Sequence, residues 1–249
     1  MISSSSTADN TKAKSILVRE RLIFALDVSS TEEAKELVEQ LGDSVIFYKL
    51  GLQLFMAGGY FELVEWLKER GKKVFVDLKF FDVPETVRSA VKQLKTRHVE
   101  FVSVHGNDEI LRAAASEKNG VKVLAVTVLT SLDNKDIQDL GFQVDVETLV
   151  LSRAKRALEI GCDGVISSGL EATALRGNLG NNFLIVTPGI RPVSNTDDQK
   201  RTVNVKEAFL NGADYIVVGR PIRDAKNPQQ KAEEIQTEIA SVIQSLIPE

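Results

Sequence analysis

The sequence predicts an α/β chain folded as a single-domain (β/α)8 TIM barrel, and three observations predict it. Eight short runs rich in Val, Ile, Leu and Phe recur along the chain, longer amphipathic stretches separate them, and the runs are nearly continuous rather than alternating in polarity. Unbroken apolar runs suit strands covered on both faces, as in a parallel sheet wrapped by helices. Eight such units in 249 residues match the usual size of this barrel, roughly 250 residues.

In chain order the strands are expected at 22–28, 45–50, 73–79, 99–105, 121–129, 163–167, 182–187 and 214–219. Helices are expected between and after them, at 30–42, 61–71, 84–96, 107–118, 145–160, 170–177, 203–211 and 228–246. The first helix, STEEAKELVEQLG, opens on Ser30 with Glu33 three residues on, the pattern of a capping box, and closes on Gly42. FELVEWLKERG closes in the same way on Gly71. In DVPE, Pro84 fits a first helical turn and Asp82 is a candidate N-cap with Glu85 three residues later. The opening MISSSSTADNTKAKS is polar and Ser-rich, with nothing to pack, so residues 1–19 are expected as a disordered tail and 20–249 as the barrel catalytic domain. That opening also lacks the apolar core of a secretory signal. A doubly wound open sheet is the rival architecture, but ALDVSSTEEA after the first strand has no G-x-G-x-x-G.

Composition narrows the partners. Net charge is −4 and no basic block stands out, so the electrostatic footprint of a nucleic-acid binder is missing. The single cysteine, Cys162, has no internal disulfide partner, and no apolar run approaches the roughly 20 residues needed to span a bilayer. A cytoplasmic protein acting on a small molecule is the expectation.

In such a barrel the active site is built at the C-terminal strand ends. The polar residues there are Asp27, Lys49, Asp77 with Lys79, His105, Thr130, Ser167 with Ser168, Pro188 with Arg191, and Gly219 with Arg220. In FVDLKFFDVPETV a lysine stands between Asp77 and Asp82. Flanking carboxylates favour its charged form, which makes Lys79 a proton donor rather than an imine former. A salt-bridge cluster at the surface is the plain alternative. VVGRPI ends the last strand with Gly219, which allows close backbone approach, and Arg220, whose planar fork suits a phosphoryl group. Backbone N–H groups of a short following helix would complete the cradle. The polar connection TPGIRPVSNTDDQKRTV (187–203) reads as a lid, with Arg191 and Gln199 reaching a bound anion on closure. The two histidines, His98 and His105, have no metal-ligand spacing. Cys162 and Trp66 read as structural, and Phe80 and Phe81 as packing or interface residues.

ALDV, YKLG, DLKFFDVPETV, VLTS, TPGIRP, DDQKR and VGRPI stand in the order and context of the orotidine 5′-phosphate decarboxylase family, which the chain resembles over essentially its whole length after the tail. The resemblance implies decarboxylation of orotidine 5′-monophosphate to UMP and CO2 in de novo pyrimidine biosynthesis, without cofactor or metal. It implies that Lys49, Asp77, Lys79 and Asp82 form an alternating charged array, with Asp82 reaching in from the other subunit of a homodimer. Lys79 then delivers a proton to C6, Asp27 and Lys49 hold ribose hydroxyls, and Thr86 lies in the segment shared across the interface. Thr130 and Ser131 resemble the pyrimidine-edge contacts, Pro188 borders the ring, and Arg191, Gln199, Gly219 and Arg220 resemble the lid and phosphate contacts. The chain departs from the family at Phe81, commonly His, and at Glu85, commonly Asn. The nearest alternative is a Mg-dependent sugar-phosphate decarboxylase or aldolase of the same barrel superfamily. Relatives of that kind carry an acidic metal ligand at the end of the second strand, where Lys49 would repel a cation. A non-catalytic phosphoribosyl-ligand sensor is a further alternative, to which a like-charge array offers little.

Overall fold

The computed structural model describes residues 16–118, 120–191 and 201–247. Its centre is a closed barrel of eight parallel strands, each hydrogen-bonded to its neighbours in sequence and the last to the first. They are β1 (Leu22–Ala25), β2 (Phe47–Leu50), β3 (Lys73–Phe80), β4 (Phe101–Val104), β5 (Lys122–Val126), β6 (Gly164–Ile166), β7 (Leu184–Thr187) and β8 (Tyr215–Val218). The helices around them are α1 (Thr31–Leu41), α2 (Leu52–Ala57), α3 (Tyr60–Glu69), α4 (Pro84–Leu94), α5 (Asp108–Ser116), α6 (Asn134–Asp139), α7 (Val146–Ile160), α8 (Ala172–Leu179), α9 (Val205–Leu210), α10 (Arg220–Arg223) and α11 (Pro228–Ser245). Among the described residues, no helix is long and apolar enough to cross a membrane.

All eight expected strands are present, each within its predicted range or, in β3, one residue longer. The fifth stops at Val126 instead of 129 because its next carbonyls leave the ladder. Arg153 donates to Thr127 O, and Arg201 donates to Val128 O and Leu129 O. The short helices α2 and α6 are additions to the eight expected ones, and α10 is the short helix expected after the last strand. Local chemistry explains α6, where Asp133 accepts from the Lys135 and Asp136 N–H groups in a full capping box. At α1, Ser30 accepts from Glu33 N–H as expected, but the Glu33 carboxylate turns to the Ser29 N–H and hydroxyl, so the box is half formed. At α4, Val83 rather than Asp82 is the N-cap and makes no side-chain bond. The Asp82 carboxylate instead accepts from Val83 N–H at 2.6 Å, and Glu85 pairs with Arg88 at 3.1 Å. The expected tail gives way before residue 19. Val18–Glu20 form a 3-10 turn, with Ile16 and Val18 packed against the two core clusters. Residues 1–15 lie outside the described residues.

The period-two geometry of strands divides the apolar residues into two clusters. One, between sheet and helices, includes Phe24, Leu26, Tyr48, Val76, Val102 and Ile216. The other fills the barrel and includes Ile23, Phe47, Phe75, Phe101, Tyr215 and Val217. Phe101 sits at the hub of the second, its ring 5.1 Å from that of Phe47, 5.9 Å from Phe75 and 5.2 Å from Tyr215. These rings form a floor. Phe75 lines a cavity of about 520 Å3 on one side, and Phe47, Phe101 and Tyr215 line another of about 490 Å3 on the other.

Candidate active site

Along the inner face the side chains turn from apolar to polar as each strand ends. Ala25 gives way to Asp27, Phe47 to Lys49, Phe75 to Asp77 and Lys79, Phe101 to Ser103, and Val217 to Gly219. The larger cavity opens at this end. Asp27, Lys49, Asp77, Lys79, Thr130, Ser131, Pro188, Arg191, Gly219 and Arg220 all line it. Asp82 and Thr86 do not: both are exposed on the chain that follows β3. Gln199 lies outside the described residues.

Asp77 is the centre of the array. Its carboxylate accepts from Lys79 Nζ at 3.0 and 3.1 Å and from the Ser103 hydroxyl at 2.7 Å, and it stands 3.6 Å from Lys49 Nζ. Lys49 also bonds Asp27 at 3.1 Å. Burial alone would raise the Asp77 carboxyl. The Lys49 and Lys79 ammoniums and the Ser103 hydroxyl outweigh it and hold the group below the usual carboxylate range. Burial likewise opposes the charge on Lys49, but Asp77 and Asp27 more than offset it and raise its ammonium above the ordinary lysine value. Both groups are therefore ionised at neutral pH. The Asp77 side chain is about a tenth exposed and that of Lys79 about a third, so the anion is sequestered while the cation at its edge can meet a ligand.

The backbone carries a second peculiarity. Lys79 has φ +48°, one of only two non-glycine residues with positive φ among the described residues. It sits where the β3–β4 register shifts between Val76 and Phe80. A non-glycine residue held in the left-handed region costs of order 1–3 kcal/mol, and the surroundings must impose it. Ser103 does part of this: its Oγ accepts from Lys79 N–H at 2.9 Å while its own proton goes to Asp77. One hydroxyl thus fixes both the strained backbone of the lysine and the carboxylate beside it.

Neighbouring residues shape the rest. A Cβ on Gly51 would lie 3.1 Å from Asp27 Oδ1 and 3.3 Å from Lys49 Nζ, so any larger residue there would push this pair by a few tenths of an ångström. Arg223 also lines the cavity and donates to Asp27 O at 2.8 Å. At the end of β8, α10 begins at Arg220, but Pro221 has no N–H and the Ile222 and Arg223 N–H groups fold back on Gly219 O. The turn's part in an anion cradle narrows to the backbone at Gly219 and Arg220 and to the guanidinium. Among the described residues, no group of three or more His, Cys, Asp or Glu is placed to hold a metal ion. Two lysine ammoniums at the array would oppose a divalent cation there.

Ser103, Gly51 and Arg223 are contributions absent from the sequence-based candidates, as is Gln53, which also lines the cavity. Phasing the inner face from Phe101 would have placed Ser103 on the cavity side two residues later. His105 lies in a neighbouring pocket with its ring 5.3 Å from Phe81. Burial, then Arg153 and Lys79, lowers its pKa. Cys162 is buried, and burial pushes its thiol up to about 12.

A family model described as "Orotidine 5'-phosphate decarboxylase / HUMPS family" matches residues 20–235. The chain belongs to this family. Orotidine 5′-phosphate decarboxylase from Methylococcus capsulatus is 62% identical over 231 residues, covering 92% of this chain and 96% of that protein. The one from Xylella fastidiosa is 47% identical over 229 residues, 91% and 94% of the two chains. Among solved structures, the crystal structure of orotidine 5′-phosphate decarboxylase from Lactobacillus acidophilus superposes with a TM-score of 0.79 at 35% identity, over 88% of this chain and 99% of that one. In this member of the orotidine 5′-phosphate decarboxylase family Phe81 is two-thirds exposed and Glu85 is exposed on the first turn of α4.

Proposed function

We propose that this chain decarboxylates orotidine 5′-monophosphate to UMP and CO2 in pyrimidine biosynthesis, with Lys79 as the proton donor to C6. One observation carries the reading: a buried carboxylate, Asp77, clasped by Lys49 and Lys79, faces a cavity rimmed on another side by Arg191, Gly219 and Arg220. Losing CO2 from an sp2 carbon leaves an electron pair that the ring does not readily delocalise. The Lys79 ammonium stabilises charge that exists only in the transition state, and then transfers its proton to that carbon. Asp77 holds Lys79 in place and repels the carboxylate of the substrate, which is relieved as CO2 forms.

Remote contacts supply binding energy for this. Asp27 and Lys49 hold ribose hydroxyls, Thr130 and Ser131 read the pyrimidine edge, and Pro188 borders the ring. Arg191, Gln199, Gly219 and Arg220 hold the phosphate as the 187–203 connection closes. Asp82 and Thr86 are exposed on one chain and complete the site of a second copy, so the working unit is a cytoplasmic homodimer with active sites at its interface. Exposed Phe81 and Val83 flank Asp82 and provide apolar surface for that contact.

The test is direct. Mixing the purified protein with orotidine 5′-monophosphate in EDTA should lower the near-ultraviolet absorbance as UMP forms. An inert protein that added Mg2+ brings to life would instead support the sugar-phosphate chemistry.

A further inference from the structure

Behind the cavity wall lies a buried ion pair that the charged array does not include. Arg201 lies near the end of the polar connection 187–203 and pairs through Nη1 with Glu171, which precedes α8. Both side chains are about nine-tenths buried. The guanidinium's Nη2 donates to Val128 O at 3.1 Å and Leu129 O at 2.9 Å, and the Arg201 N–H donates to Thr130 O at 3.3 Å. Three successive carbonyls of the segment after β5 are therefore held by one residue. Ser167 Oγ donates to the second oxygen of Glu171 at 3.3 Å, and Ser168 Oγ to Arg201 O at 3.3 Å, tying the clamp to the end of β6.

Val128, Leu129, Thr130 and Ser131 all line the cavity, whereas Arg201 and Glu171 do not. We infer that Arg201, oriented by Glu171, is a positioning residue that fixes the 128–131 wall against the base of the bound nucleotide. This rests on the proposed reading of that wall as the pyrimidine-edge contact. The segment has left the barrel ladder, so the planar fork replaces the strand hydrogen bonds that would otherwise hold it. A lysine cannot reproduce a fork that reaches two carbonyls and a carboxylate at once.

The experiment compares two ligands that share the phosphate but not the base, UMP and ribose 5-phosphate, on Arg201→Lys by calorimetry, together with turnover of orotidine 5′-monophosphate. Expected are at least a tenfold loss of UMP affinity and of kcat, with ribose 5-phosphate affinity changed less than twofold. Equal weakening of both ligands, or no loss on either, overturns the assignment. Should Arg201→Lys not yield folded protein, Glu171→Gln is held to the same criterion, since it keeps the shape of the side chain but removes the charge that orients the guanidinium. Turnover by the unmodified chain is measured alongside. An active wild type whose variants lose both ligands equally refutes the role of Arg201 alone, and an inactive wild type refutes the decarboxylase reading.

Discussion

Replacing Lys79 separates what its side chain does from what its backbone costs. The Lys79→Ala change removes an ammonium 3.0 Å from Asp77 and, on the proposed chemistry, both the electrostatic partner of the developing carbanion and its proton source. A preorganised electrostatic group contributes about 10²- to 10³-fold and a positioned general acid about 10²- to 10⁴-fold. Together these give a loss of about 10⁴- to 10⁷-fold in kcat, or about 5–10 kcal/mol. UMP binding should be largely spared, because the proposed ribose and phosphate contacts are made by other side chains. The backbone adds an internal control. With φ at +48°, alanine keeps the left-handed strain of about 1–2 kcal/mol while glycine escapes it at an entropic cost of roughly 0.5–1 kcal/mol. Lys79→Gly should thus be as inactive as Lys79→Ala yet up to about 1.5 kcal/mol more stable. Orotidine 5′-monophosphate absorbance reports the first quantity and urea unfolding the second. Activity within a hundredfold of wild type refutes the proton-donor role, and an alanine variant clearly more stable than glycine refutes the strain.

Three further outcomes are expected. Arg220→Ala should cost about 10- to 100-fold in kcat/KM on orotidine 5′-monophosphate, the scale of one charge-assisted contact, and little on orotidine; equal losses on the two compounds would remove Arg220 from the phosphate site. Phe101→Ala empties the hub of the aromatic floor, where the ring is 1% exposed. It should cost about 3–5 kcal/mol, lowering Tm by roughly 6–20 °C in calorimetry; a drop of under about 3 °C would show that the floor repacks. On acidification, Asp77 supplies a stability term whose sign follows from its depressed folded pKa. The term is complete above the unfolded carboxylate value of about 3.9 and fades as pH falls through the folded value. The stability gap between wild type and Asp77→Asn should therefore stay constant from about pH 6 to 5 and shrink below about pH 4. A gap that persists unchanged to pH 3 would mean that Asp77 is not the group concerned.

Much of the molecule is legible in the sequence because its signals are local. Eight apolar runs and their helical spacers give the barrel, and charged residues at the run ends give Asp27, Lys49, Asp77 and Lys79, all of which line one cavity. Cooperative features are harder to read. The sequence extends the fifth strand to 129 on apolar content alone, whereas Arg153 and Arg201, 26 and more than 70 residues away, take its carbonyls. Ser103 is one small hydroxyl in an apolar run, and its double contact with Lys79 and Asp77 emerges only when β3 and β4 pair. Asp82 makes an attractive N-cap on paper, but Pro84 and the extended Val83 shift the cap by one residue. Asp82 and Thr86 stand exposed and outside the cavity lining, and their proposed work belongs to an assembly of two chains.

Among the described residues, the aromatic floor closes the site on its inner side and makes it a cup. Phe47, Phe75, Phe101 and Tyr215 stop the barrel from being a tube, so in the proposed cycle nucleotide, carbon dioxide and the water that reprotonates Lys79 all pass through the strand-end side of the site. In the proposed cycle the gas cannot drain out beneath the ring while the nucleotide remains seated above it. On that proposal, whatever closes over the phosphate also controls traffic of the smallest product.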